Sequence, residues 1–171
     1  MASSPKPVTK KRLENIALYY LSRYDSSTAN LRGVLERRVK KEQMRGASVP
    51  DGVEEWIGET VARMAQLGYV DDVRYAERQV EKLSAAGKSR RFIEGKLFQA
   101  GVGSAVPLPD DEDDLQSAVR LVKKKKIGFM RGSDERGEFF KKDLAVLARA
   151  GFSYETAVKA LNAAEDEAND E

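Results

Sequence analysis

Cysteine and histidine are both missing from this 171-residue chain. Without cysteine there are no disulfides and no thiolate nucleophiles. Without histidine there is no imidazole general base, and the usual zinc-ligand sets disappear with the pair. No catalytic residue, cofactor site or metal site is therefore expected. No run of about 18 apolar residues occurs, and Met-Ala-Ser-Ser-Pro-Lys-Pro at the start lacks the hydrophobic core of a signal peptide. The expectation is a cytoplasmic protein without membrane contact. No stretch alternates as a half-buried strand does.

Charge is what the chain has in quantity, at 34% of residues, so much of every element must face water. The net charge is only +2, but residues 1–50 hold 11 Lys/Arg against 4 Asp/Glu, while 110–114 and 165–171 are acidic. A basic front half suggests a polyanionic partner or a nucleoprotein.

Apolar periodicity places helices along most of the chain. Residues 1–12, with two prolines and four basic side chains, are expected to form a disordered arm. Leu13, Ile16, Ala17, Tyr20, Leu21 and Tyr24 then define one helix face. Ser26-Ser27-Thr28 supplies a turn and cap before Leu31, Val34, Leu35 and Val39. Gly46 to Gly52 is a loop, and Asp51 with Glu54 forms a variant capping box ahead of Val53, Trp56, Ile57, Val61 and Met64. Val73, Ala76, Val80 and Leu83 mark a fourth helix, and Phe92, Ile93, Leu97 and Ala100 a fifth, with Ser89 as its cap. Val102 to Asp114 is expected to be a linker around a short degenerate helix at 102–106. Leu115 to Val122 begins a helix that runs into Lys123 to Lys126, and Gly128 to Ser133 is a loop. Phe140, Leu144, Leu147 and Ala148 precede Gly151, and Ser153 caps a final helix with Ala157, Val158 and Leu161.

The stretch 67–76 is the hinge of this organisation. Met64 and Leu67 close an apolar stripe, and Gly68 offers the left-handed conformation that ends a helix. Tyr69 and Val70 are expected at a buried corner, and Asp71 or Asp72 caps the helix carrying Arg74 and Tyr75. Three helix ends match one another: Met64-Ala-Gln-Leu-Gly-Tyr69, Leu97-Phe-Gln-Ala-Gly-Val102 and Leu147-Ala-Arg-Ala-Gly-Phe152. Each precedes a polar helix starter, which points to internal repetition with a period of about 50 residues, three short helices to a unit. The expected division is an arm at 1–12, repeats at 13–70, 71–113 and 114–164, and an acidic tail at 165–171. Units this small need to pack on their neighbours.

Several constellations invite sharper readings. Gly87-Lys88-Ser89 resembles the end of a phosphate loop, but that loop needs glycine where Lys82 stands, and no strand precedes it. Asp71 and Asp72 are better caps than catalytic or metal-binding carboxylates. Tyr69, Tyr75 and Phe92 sit at helix junctions, where core packing competes with base stacking. Arg37, Arg38, Lys40 and Lys41, with Lys88, Arg90 and Arg91, suit a surface that is partly phosphate. For Lys123, Lys124 and the two lysines after them, contact and simple solvation stand level.

Four motifs taken in order resemble the RecX regulatory proteins, modulators of the RecA recombinase. They are Ala17 to Leu35 with Ser-Ser-x-Ala-Asn-Leu at 26–31, the hinge 67–76, Gly87-Lys-Ser-Arg-Arg-Phe-Ile93 leading to Leu97, and Ala150-Gly-Phe-Ser153. The resemblance covers about residues 13–162. It implies an all-α array of three three-helix repeats, elongated or curved, that binds the groove of the RecA filament on DNA and restrains its ATPase and strand exchange. It implies no enzyme activity, a monomer, and DNA met mainly through the filament with weak direct binding. Two departures stand out: a long second helix and loop at 36–52, and Pro107 and Pro109 where the second repeat's third helix belongs. The alternative from the residues alone is a helix-turn-helix-like DNA-binding regulator, since short helices joined at basic turns also describe that class.

Overall fold

The computed structural model describes residues 7–163 and is all-α, with eight α-helices and one 3-10 turn among those residues. Residues 1–6 of the arm expected at 1–12, and the acidic tail expected at 165–171, lie outside the described residues. Two compact units divide the chain: the residues up to Tyr75 with Ala100–Ala105, and Ala76–Gln99 with the residues from Val106 onward.

The first unit holds α1 (Lys10–Leu21), α2 (Thr28–Met44), α3 (Val53–Gln66) and the opening turn of α4 (Asp72–Ala85). Leu31, Leu35 and Val39 recur every fourth residue on α2, and they meet Leu13 and Ala17 of α1 and Ile57, Val61 and Met64 of α3 in one core. Each fully buried leucine there contributes about 1.5–3 kcal/mol relative to exposure. Helix α1 starts inside the segment expected to be an arm, because Thr9 accepts from the Arg12 amide at 3.3 Å and Val8 is buried in the core. The capping box expected at Asp51 and Glu54 is not formed. Gly52 is the cap residue of α3, and no side chain bonds there.

The second unit holds the rest of α4, α5 (Arg90–Gln99), α6 (Asp111–Lys125), a 3-10 turn at Gly128–Met130, α7 (Ser133–Arg149) and α8 (Tyr154–Leu161). Ala118 and Val122 of α6 share a core with Phe129, Leu147, Phe152, Ala157, Ala160 and Leu161. The acidic run is not linker. Asp110 and Asp113 form a reciprocal capping box, and Asp111 to Asp114 occupy the first turn of α6, where the helix dipole favours negative charge. No helix forms at 102–106; turns occupy that stretch. The loop expected at 128–133 contains the 3-10 turn, within which Phe129 is buried in the core.

Candidate functional site

The hinge aspartates cap two different helices. Asp71 closes its own helix, its Oδ1 accepting from the Arg74 amide at 3.1 Å. Asp72 instead accepts from the Thr28 amide and the Thr28 hydroxyl, both at 2.7 Å, and so completes the first turn of α2. Ser27 beside it is fully buried; its Oγ accepts from the Asn30 amide at 3.1 Å and donates to the Ala100 carbonyl at 2.6 Å. Gly101 follows, and a Cβ there would collide with Ala29. The Asn30 amide group donates to the Tyr20 hydroxyl and to Ser26 Oγ, which seals the same corner.

Around this corner the expected burial is only partly realised. Val70 is buried, but Leu67 and Tyr69 are exposed at 56% and 57%, and Arg74 is exposed too. The cause is the turn itself. Gly68 takes φ +73°, and the Tyr69 amide bonds back to the Met64 carbonyl at 3.0 Å, so the chain swings away after Met64 and only Val70 returns to the core. Tyr75 is half-buried, and burial, reinforced by Asp25, pushes its phenol up from the usual value.

The start of α5 repeats the arrangement. Ser89 is buried and accepts from the Phe92 amide at 3.1 Å, as a cap should. The next amide, that of Arg90, donates to Asp114 on α6. Burial raises the Asp114 carboxyl above its usual range, against the pull of that amide. Gly151, at φ +94° after α7, lies so close to Ser89 that a Cβ would strike the serine hydroxyl. A buried cap serine, an aspartate from another helix on the following amide, and a glycine-terminated helix end therefore recur at both places.

The nine candidate contact residues fall into three sets, each continuous on its own element. On α2, Arg37, Lys40 and Lys41 are exposed and share one side at three- and four-residue spacing. Arg38 is exposed but engaged: its Nη2 lies 3.3 Å from Glu42, which Arg12 also approaches at 3.1 Å. Burial pushes the Glu42 carboxyl up, yet Arg12 and Arg38 outweigh it and hold it below the usual value. At the start of α5, Arg91 is exposed, Arg90 lies 3.8 Å from Asp111, and half-buried Lys88 places Nζ 4.8 Å from the centre of the Phe92 ring. Phe92 is thus half-buried rather than core. At the end of α6, Lys123 is half-buried and Lys124 exposed, and together with Lys125 they complement the negative end of the helix dipole. That gives them a structural use whether or not they touch a partner.

A buried ionic cluster escaped the sequence reading. Asp143 is 2% exposed and accepts from Arg131 Nε and Nη2 at 2.8 and 2.9 Å and from the Gly128 amide at 3.0 Å. Arg136 donates to the Phe129 and Arg131 carbonyls, so the cluster pins the 3-10 turn onto α7. Hydrogen bonds from Arg131 hold the Asp143 carboxyl below its usual range against burial, and the Arg131 guanidinium is raised in turn. The signal was positional, since 143 falls on the 140, 144, 147 stripe. Among the described residues no group of three or more acidic side chains is placed to hold a metal ion, and no helix is long and apolar enough to cross a membrane.

No protein-family model matches the chain. The regulatory protein RecX of Myxococcus xanthus (strain DK1622) is 35% identical over 166 residues, covering 92% of this chain and 88% of that protein. The chain belongs to the RecX family. These are regulatory proteins, not enzymes. RecX of Agrobacterium fabrum (strain C58 / ATCC 33970) is 29% identical over 161 residues, covering 91% of this chain and 85% of that one. The crystal structure of RecX from Lactobacillus salivarius shares the fold, with a TM-score of 0.62 at 21% identity over 89% of this chain and 94% of that chain. In this RecX-family chain the four motifs that carried the resemblance supply Ser27, Asp72, Ser89 and Gly151, residues of the two capped corners. The motifs that mark the family therefore build helix junctions, and the basic faces lie outside most of them.

Proposed function

We propose that this chain binds the filament formed by the RecA recombinase on DNA, lies in its groove, and restrains ATP turnover and strand exchange. The observation that carries this reading is the outward presentation of Arg37, Lys40 and Lys41 on α2 and Arg91 on α5, in a chain of a regulatory family. A groove that presents DNA phosphates and protein carboxylates attracts such faces. Bridging adjacent recombinase subunits resists the motions coupled to hydrolysis and blocks a second duplex. The action is steric and electrostatic, needs no cofactor, is that of a cytoplasmic monomer, and meets DNA mainly through the filament.

The same proposal takes the chain as three tandem repeats at 13–70, 71–113 and 114–164. Support comes from the two equivalent corners: in each, the second helix of one repeat is capped by an aspartate at the start of the next, Asp72 for α2 and Asp114 for α5. The decisive experiment is DNA-dependent ATP hydrolysis by purified recombinase with increasing amounts of this protein. The expected result is a progressive fall in rate; an unchanged rate at saturating protein ends the proposal. Retention on naked DNA equal to that on recombinase-coated DNA, or preference for one duplex sequence, would point instead to a helix-turn-helix regulator.

A further inference from the structure

The exposed side of α5 joins a bare aromatic ring to a basic surface. Ile93 and Leu97 are fully buried and fix the helix, and Phe98, the residue after Leu97, is 79% exposed. Seven residues earlier on the same side stands exposed Arg91, and between them Gly95, whose missing Cβ would have no atom within 4 Å. The adjacent ridge carries Lys88 and Lys96, both with Nζ within 6 Å of the Phe92 ring centre, at 4.8 and 5.7 Å. Other large apolar side chains are exposed as well, among them Met44 and Tyr154, and what sets Phe98 apart is the basic strip of α5 that it shares.

We infer that Phe98 is the apolar anchor of a protein contact, entering a recess rimmed by carboxylates on the recombinase side of the filament, with Arg91, Lys88 and Lys96 around it. This rests on the function proposed above and names the part of the partner that α5 touches. Charge decides the occupant: with Arg90 turned to Asp111 of α6, segment 88–99 still offers Lys88, Arg91 and Lys96 against Glu94 alone, so an acidic surface is favoured. Phosphates would satisfy the cations but leave the ring without a match in a duplex. A single strand stacks successive bases on several open rings, whereas the other ring of α5, Phe92, already carries the two ammonium groups. A convex helix ridge with an aromatic and an arginine seven residues apart suits a groove on a protein, where such residues dominate binding energy.

The test compares wild type, Phe98→Ala and Phe98→Tyr by fluorescence anisotropy on two probes, a recombinase-coated single-stranded oligonucleotide and the same oligonucleotide bare, across a salt series. Because Phe98 is outside the core, circular dichroism of both variants should match wild type. The inference expects Phe98→Ala to weaken filament binding by roughly tenfold or more, with the salt slope and the bare-oligonucleotide affinity unchanged, and Phe98→Tyr to retain most binding. Wild-type affinity in Phe98→Ala overturns it, as does an equal loss on the bare oligonucleotide, which would mean base stacking. A wild-type protein that dissociates from a dimer to a monomer on Phe98→Ala also overturns it. Wild-type protein that fails to bind the filament at all is a different result, one that removes the proposed function and this contact together.

Discussion

Asp72 opens α4 yet spends its carboxylate on Thr28, taking the backbone amide with Oδ1 and the hydroxyl with Oδ2, both at 2.7 Å. The first turn of α2 has no acidic residue of its own, so this borrowed carboxylate also supplies the negative charge favoured at a helix N-terminus. The consequence is that two helices 44 residues apart are made to depend on one side chain.

Asp72→Ala should therefore cost about 1–2 kcal/mol, more than an ordinary surface change, because a partly buried amide and hydroxyl lose their acceptor together. Thr28→Val should remove half of the same interaction. Urea unfolding of both single variants and the double variant forms a cycle, and the expected outcome is a double-variant cost clearly below the sum. Simple additivity would show that the two residues do not act on each other.

Glycine positions should rank by what their missing Cβ would meet. Gly68→Val is expected to cost about 1 kcal/mol or more from positive φ, with nothing within 4 Å to add a clash. Gly151→Ala should cost more than Gly68→Ala, since it meets the same strain and also drives a methyl into Ser89. Thermal melts of the two alanine variants test the order, and equal melting temperatures would remove the role given to Ser89 packing.

Acid should act through Asp143. Its folded pKa is depressed, chiefly by Arg131, so the stability it contributes is complete above the unfolded value of about 3.9 and is lost as pH falls through the lower folded value. Glu42 acts in the same direction: burial opposes its ionisation, but Arg12 and Arg38 win. Melting temperature measured from neutral pH downward should drop steeply below about pH 4. Asp143→Asn should be less stable at neutral pH and show a shallower acid limb. Asp143→Ala, which strands Arg131, should cost about 3 kcal/mol or more at neutral pH.

Replacing Arg37, Arg38, Lys88, Arg90 and Arg91 with alanine tests the proposed basic contacts. Each that neutralises a phosphate adds up to about 0.9 to the slope of log affinity against log salt for a duplex, or about 0.7 for a single strand. Intact circular dichroism with unchanged slope and unchanged ATPase restraint would reduce these residues to a solvated face. Lost restraint at constant slope would place them on recombinase carboxylates. Arg38 also serves Glu42, so Arg37, Lys40, Lys41, Lys88 and Arg91 make the companion variant that leaves that ion pair in place.

Helix identity was legible because it follows from local spacing: Leu31, Leu35 and Val39 face the core as their fourfold interval requires, and Ser27, Ser89 and Ser153 cap the helices they precede. The acidic run at 110–114 was misplaced because a cluster of carboxylates serves a linker and a helix start equally well until the backbone is known. What no local pattern contains is the partner of a polar group. Asp71 and Asp72 are adjacent and chemically identical, and their spacing said that one would cap; only the folded chain brings Thr28 within reach of the second. Exposure is decided at the same level. Leu67 and Phe98 look like core residues by type, yet the turn at Gly68 and the burial of Leu97 put them in water, because a helix that docks one stripe must present the opposite one.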